Sequence, residues 1–305
     1  MDFELKILGS SSATPSTNRN HTAQVLTIGN QLNLIDCGEG TQMQLMRYKV
    51  KHQRICNIFI SHLHGDHFFG LFGLLSTMHL QQRTSPVNIF GPPGLAELLT
   101  LQFKHSNTLF TFKINFQELD AAAHKLIYED KFITVHTLPM QHRVSCCGFL
   151  FREKPNLRHL VKSKLPQGLT PPQLVGLKHG EDLLDEAGQV WLRNADVTSP
   201  PNRSRSYAYC SDTRYKEDIL PYIRQVDLLY HEATFMDELR DRASYTFHST
   251  AHQAATLAFK AGVKRLLIGH FSVRYKDLTP LLLEAKAVFE NTHLALEGKT
   301  VSILE

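Results

Sequence analysis

The sequence predicts an α/β protein, on three observations. Strand-like and helix-like segments alternate along the chain to its end. The apolar strand-like runs lead into polar or histidine-bearing turns, which gathers side chains at one edge of a sheet. One of these turns, Ser61-His62-Leu63-His64-Gly65-Asp66-His67, follows the run Cys56-Asn57-Ile58-Phe59-Ile60 and places four metal-capable side chains within six positions.

The elements follow in order. Phe3–Leu8, Ala23–Ile28 and Gln31–Asp36 read as strands, the last two joined by the hairpin signal Gly29-Asn30. Gly40–Tyr48 reads as a helix. Val87–Phe90 is a short strand, and the breaker Gly91-Pro92-Pro93-Gly94 leads into a helix from Leu95. Phe132–Leu138 and Gly148–Arg152 are strand-like. Tyr207–Cys210, Asp227–Tyr230 and Lys264–Ile268 resemble buried strands. One helix is fully signposted: Thr250-Ala251-His252-Gln253 matches a capping box, with Ser249 as the alternative N-cap. Ala254, Leu257, Ala258 and Ala261 form its apolar stripe, and Gly262 stops it.

The 305 residues allow one large domain or two of ordinary size, and the 42% hydrophobic fraction supplies a substantial core. No apolar stretch approaches the roughly 18–20 residues that span a bilayer. Met1-Asp2-Phe3-Glu4 lacks the basic-then-apolar pattern of a signal peptide, so a cytoplasmic protein without membrane attachment is expected. The five cysteines are odd in number and include no Cys-x-x-Cys pair, which reads as reduced thiols; Cys146-Cys147 is the alternative, a redox pair. A formal charge of +4 suits a polyanionic substrate better than a cationic one.

One stretch departs in composition. From Arg152 to about Arg205 the chain is rich in Pro, Lys, Arg and Gly and poor in periodic apolar residues. Its first part carries Arg152, Lys154, Arg158, Lys162, Lys164 and Lys178 against the single carboxylate Glu153. It is too long for an ordinary connection. A disordered surface insertion is the competing reading.

Imidazole nitrogen and carboxylate oxygen together suit zinc or a similar divalent ion. Gly65 is expected to bend the backbone so that His62 and His64 face one ion while Asp66 and His67 face a second. Two such ions make a hydrolytic centre. Further ligands must come from other strand ends, and His142 (with His136 nearby as the other candidate), Asp212 and His270 stand where strands hand over to loops.

The motif His-x-His-x-Asp-His resembles the metallo-β-lactamase superfamily. Tyr230-His231-Glu232-Ala233-Thr234-Phe235, His248-Ser249-Thr250 and His270-Phe271-Ser272-Val273-Arg274-Tyr275 are similar to the set found in the ribonuclease Z family. So are the segments Gly9–Asn20 and Asp36-Cys37-Gly38-Glu39-Gly40-Thr41-Gln42. The matches run in order along nearly the whole chain and resemble the short form of the enzyme. The resemblance implies a four-layer αββα sandwich spanning residues 1–305, with an inserted tRNA-binding arm at about residues 152–205. It implies two zinc ions per subunit, other divalent ions being the alternative: His62, His64 and His142 on one, Asp66, His67 and His270 on the other, and Asp212 bridging. Asp66 would also orient the attacking water. His248, supported by Glu232, would protonate the leaving oxygen. Arg274 would hold a phosphate, and Arg19, Lys162, Lys164 and Lys178 are further candidates for RNA contact.

The implied function is removal of the 3′ trailer from precursor tRNA by a homodimer, the arm of one subunit gripping tRNA at the other's site. Two readings compete: a phosphodiesterase of the same fold acting on small or cyclic phosphodiesters, and a catalytically silent RNA-binding protein. One segment departs from the family. Where bacterial members carry a Gly-Pro step in the arm, this chain reads Gly168-Leu169-Thr170-Pro171-Pro172-Gln173.

Overall fold

The computed structural model describes residues 2–14 and 16–303; Pro15 of the N-terminal motif lies outside them. The first half builds strands β1 (Phe3–Gly9), β2 (Ala23–Ile28), β3 (Gln31–Cys37), β4 (Ile55–Phe59), β5 (Val87–Gly91) and β6 (Ile114–Glu118). Helices α1 (Thr41–Arg47), α2 (Gly65–Phe68), α3 (Gly70–Leu80) and α4 (Leu95–His105) connect them. Strands β7 (Leu126–Glu129), β8 (Ile133–Pro139) and β9 (Cys147–Glu153) begin a second sheet.

The basic insertion then folds on its own terms. It holds β10 (His159–Leu160), α5 (Pro171–His179), β11 (Leu183–Leu184), β12 (Val190–Leu192), α6 (Asn194–Val197) and β13 (Thr198–Ser199). Buried Leu177, Leu183 and Val197 form a small core there, with Leu160, Leu165, Leu169 and Leu192 packed around it. The segment lacking the Gly-Pro step is the start of α5: Thr170 and Gln173 form a capping box, and Pro171 and Pro172 occupy the first turn, where no N–H is needed.

The chain returns to the second sheet with β14 (Ser206–Cys210), α7 (Leu220–Ile223), β15 (Leu228–Glu232), α8 (Arg240–Thr246), α9 (Ala251–Ala261), β16 (Leu266–Gly269), α10 (Thr279–Lys286) and β17 (Thr292–Leu294). Strand β18 (Thr300–Ser302) closes back on β1. Among the described residues the two large sheets run β18-β1-β2-β3-β4-β5-β6 and β17-β16-β15-β14-β9-β8-β7. Each combines antiparallel strands on one side with parallel strands on the other, β3 to β6 in the first and β14 to β17 in the second.

Period-two alternation explains the layering. Phe3, Leu5, Ile7, Leu26, Phe59 and Phe90 face Val135, Phe149, Phe151, Tyr207, Tyr209 and Tyr230 across the gap between the sheets. The outer face of the first sheet buries Leu34, Ile58 and Ile89 against Leu45, Leu74 and Leu99 of helices α1, α3 and α4. The outer face of the second buries Ala208, Leu229 and Ile268 against Ala254, Leu257, Ala258 and Leu281 of α9 and α10. The result is the expected αββα sandwich.

Polar residues interrupt the inter-sheet face in one row. Asn57 donates to Asn33 (2.9 Å), Asn88 to Asn57 (2.8 Å) and Asn115 to Asn88 (2.9 Å), one side-chain amide per strand from β3 to β6. Asn33 ends the row on the carbonyl of Leu26. No helix among the described residues is long and apolar enough to cross a membrane.

Candidate metal centre

The carboxyl ends of the parallel strands in both sheets point at one place. Strand β4 ends in the loop to His62 and His64; α2 then begins at Gly65 and carries Asp66 and His67. Gly65 starts α2 at the turn between the two pairs of side chains, and it also supplies space: a Cβ there would lie 2.4 Å from the Phe69 ring. Strand β14 delivers Asp212, β15 delivers Glu232, and β16 delivers His270, whose backbone sits in the left-handed region at φ 58°. A non-glycine residue there is strained and is held by its surroundings.

Two sets of donors form. His64 Nδ1 lies 3.1 Å from both His62 Nε2 and His142 Nε2, and those two lie 3.7 and 3.8 Å from Asp212 Oδ2. The other carboxylate oxygen, Asp212 Oδ1, lies 3.4 Å from His67 Nε2 and 3.2 Å from His270 Nε2. Those nitrogens are 3.2 Å apart, and Asp66 Oδ2 is 3.4 and 3.3 Å from them. Ligands about 2.05 Å from one tetrahedral zinc stand about 3.3–3.4 Å from each other. These spacings match donors gathered around a shared cation, and Asp212 presents one oxygen to each set. Its Oδ1 is buried and has no hydrogen-bond partner among the described residues. The residues present therefore fit two divalent ions.

Electrostatics agree with that fit. Burial pushes His62, His64 and His142 toward the neutral form that offers a lone pair to a metal. Burial also opposes charge on His67, yet Asp212, Asp66 and Asp36 together raise its pKa well above the ordinary value. Burial likewise works against ionised Asp66 and Asp212, but the surrounding histidines hold both carboxyls far below the usual range. The cluster is an acidic cradle that draws positive charge.

Outer contacts fix the candidate ligand rings. Asp36, at φ 54°, accepts from His67 Nδ1 (2.8 Å), Tyr209 Oη (2.6 Å), Ser61 Oγ (2.9 Å) and the Ser61 amide (2.8 Å). His142 donates through Nδ1 to the carbonyl of Phe247 (2.9 Å), and His270 Nδ1 pairs with Thr234 Oγ1 (2.9 Å). Such partners set ring orientation and tautomer. Asp36 and Thr234 both lie within the family-like segments of the sequence, but nothing local marks either for these contacts. His136, the alternative to His142, stacks on His124 at 5.0 Å and stays out of the cluster.

His248 stands beside both sets. Its Nδ1 is 3.0 Å from Glu232 Oε1 and 4.0 Å from Asp212 Oδ2. Burial lowers its pKa, but Glu232 and Asp212 outweigh this and bring it to about 9. Glu232 is fully buried and also accepts from Thr213 N, Ser249 N, Thr234 N and Thr234 Oγ1. Ala13, His64, Asp66, His142, Arg143, Thr246, His248 and His270 line an open cavity of about 380 Å³ over the centre. The amide of Ala13 donates to Asp66 Oδ2 at 2.7 Å.

The remaining candidates lie elsewhere. Arg274 is exposed, stacked 5.2 Å over the Phe235 ring, which packs 6.2 Å from His248. Arg19 does not face outward as a free phosphate ligand. Its half-buried guanidinium donates to the carbonyls of Tyr275 (2.9 Å) and Ser272 (3.1 Å), clamping the turn that carries Arg274. Lys162, Lys164 and Lys178 are exposed on the insertion, and none of them lines the cavity over the donor sets. Lys162 and Lys178 share a basic cleft with Arg158 and His159.

The layered fold and the two donor sets at the sheet ends define a metal-dependent hydrolase of the metallo-β-lactamase fold. A sequence model of the family described as "Anti-Pycsar protein Apyc1" matches residues 3–157, the half that holds the His62–His67 loop and His142. Ribonuclease Z of Cytophaga hutchinsonii is 53% identical over 98% of this chain and 96% of its own. The solved structure of human tRNase Z, short form, aligns over 99% of this chain and 100% of its own, with a TM-score of 0.73 and 29% identity. The metallo-β-lactamase fold protein YhfI of Bacillus subtilis shares the fold at a TM-score of 0.70 and 18% identity, over 99% and 100% of the two chains. The chain belongs to the ribonuclease Z family.

Proposed function

We propose that this protein is a zinc-dependent endoribonuclease that removes the 3′ trailer from precursor tRNA and leaves a tRNA 3′-hydroxyl. The observation that carries the reading is the joining, in one cavity, of two donor sets shared by Asp212 with the His248–Glu232 pair. It is found in a chain that matches ribonuclease Z over nearly its whole length.

Two zinc ions, when bound, would lower the pKa of water and offset charge on the phosphodiester. His62, His64, His142 and Asp212 would hold one, and Asp66, His67, His270 and Asp212 the other. Asp66, steadied by the Ala13 amide, would orient the attacking water. Glu232 keeps His248 charged and occupies its Nδ1. That leaves Nε2–H to pass a proton to the departing ribose 3′-oxygen, as general acid catalysis requires. Arg274 would take a phosphate oxygen at the rim.

The insertion at about residues 152–205 would be the tRNA-gripping arm, with Lys162, Lys164 and Lys178 neutralising phosphates. A cytoplasmic homodimer is part of the proposal. Met43 and Met46 on α1, Phe69 just before α3 and Leu80 at its end are exposed and would supply apolar surface for the partner.

The test is cleavage of a 5′-labelled precursor tRNA bearing a 3′ trailer by the zinc-loaded protein. One cut giving a tRNA-sized product with a 3′-hydroxyl is expected. An uncut precursor, alongside rapid hydrolysis of a cyclic phosphodiester, would replace this reading with the small-substrate one.

A further inference from the structure

We propose that Tyr245 and Arg143, braced by Phe247 and Arg214, form a binding site for one unpaired nucleotide next to the scissile phosphate. Tyr245 would stack on the base and Arg143 would hold the backbone. The proposal rests on the RNA substrate proposed above and deepens it.

Tyr245 is 76% exposed in the last turn of α8, three residues before His248. The Arg143 guanidinium lies 5.6 Å from the centre of its ring and donates to the Tyr245 carbonyl at 3.2 Å. Phe247 is flanked by two guanidiniums, Arg214 at 3.7 Å and Arg143 at 6.0 Å. Arg214 in turn donates through Nε to the Ser244 carbonyl at 2.6 Å. These hydrogen bonds go to main-chain carbonyls, so they leave the positive charge uncancelled.

The patch is tied to the metal centre at two points. Phe247, held at φ 62°, turns its carbonyl to His142 Nδ1. Arg143 lines the cavity together with His64, His142 and His248. The cavity encloses too little space for a polymer, so the nucleotides flanking the reacting phosphate must leave across its edge. An exposed aromatic ring with a guanidinium beside it, placed there, matches how proteins hold unpaired RNA: the base on the ring face, the charge on the backbone. A solvent-exposed tyrosine gains little from the fold, and its substitution leaves the buried core untouched.

The experiment uses zinc-loaded protein and precursor tRNA in three forms: unmodified, abasic at the last retained nucleotide, and abasic at the first trailer nucleotide. Tyr245→Ala is expected to raise KM for the unmodified precursor about tenfold, as loss of one base–aromatic stack would. Its kcat and metal content should remain near wild type, and Tyr245→Phe should behave as wild type. An abasic substitution at one of the two positions should cost the wild-type enzyme a similar factor and cost Tyr245→Ala nothing more. The position at which the losses fail to add identifies the stacked nucleotide. Losses that add at both positions, a KM within twofold of wild type, or a loss of bound metal would each overturn the site. Wild-type protein that leaves the precursor uncut would instead overturn the endoribonuclease reading, and the site with it.

Discussion

Replacing His248 with alanine separates proton donation from metal binding. The ring sits 3.0 Å from Glu232 through Nδ1, so its other nitrogen alone is free to serve the leaving group. Removing it does not strand Glu232, which keeps the amides of Thr213, Ser249 and Thr234 and the Thr234 hydroxyl as donors. The fold should therefore persist, and the loss should fall on chemistry. A positioned general acid contributes about 10²–10⁴-fold, equivalent to about 2.7–5.4 kcal/mol on the barrier. That loss belongs to the ribose oxygen, which departs poorly without a proton; nitrophenolate leaves without help. Single-turnover cleavage of precursor tRNA should fall by that factor in His248→Ala, while hydrolysis of a nitrophenyl phosphodiester falls far less and metal content is unchanged. Equal losses on both substrates, or a missing metal ion, would refute the assignment. The sign of the pH effect follows. The acid form exists below the pKa that Glu232 raises and is lost as pH rises through it. Glu232→Gln should move the alkaline limb of the rate profile downward, toward the ordinary histidine value of about 6.5.

Three other outcomes are expected. Asp66→Ala should abolish cleavage and cost one bound ion with the fold retained; wild-type turnover by a metal-loaded variant would remove Asp66 from the mechanism. Asp36→Asn should weaken metal binding about 10–100-fold in chelator competition, the usual cost of disturbing the partner of a ligating histidine; unchanged affinity would show that His67 is oriented without it. Arg19→Ala and Arg274→Ala should each raise KM for precursor tRNA, and the double variant should be no worse than Arg274→Ala, because Arg19 acts by holding the Ser272–Tyr275 turn. Additive losses would return Arg19 to direct phosphate contact.

The strands were legible wherever alternation was strong, and their ends announced the site. Helix Gly40–Tyr48 came within a residue at each end of α1. Helix α3 escaped because Gly70-Leu-Phe-Gly-Leu-Leu is apolar on every side and carries two glycines. Packing explains them: a Cβ on Gly70 would lie 2.2 Å from the Gly38 carbonyl, so only glycine lets α3 approach the loop after β3. Strands β6 and β7 lie at sheet edges with little buried surface, so their pattern was faint. The insertion showed no periodicity because its core is three residues with a few flanking leucines, drawn from separate turns. The candidate donors were legible as chemistry, whereas Asp36 and the clamp by Arg19 depend on partners distant in sequence, which no local pattern encodes.

The row of asparagines has a consequence for strand register. Parallel strands must find one another across long loops, and a slip by one residue would be hard to detect among interchangeable Val, Ile and Leu side chains. Asn33, Asn57, Asn88 and Asn115 sit opposite one another in register, and the same register carries Ile35 onto Phe59 and so brings Asp36 to the Ser61 amide. A slipped strand would turn the fully buried Asn33 and Asn57 to the opposite face and leave their amides unanswered. The ladder thus ties strand register to the site: the alignment that pairs these amides is the one that brings Asp36 to the Ser61 amide beside the donor sets.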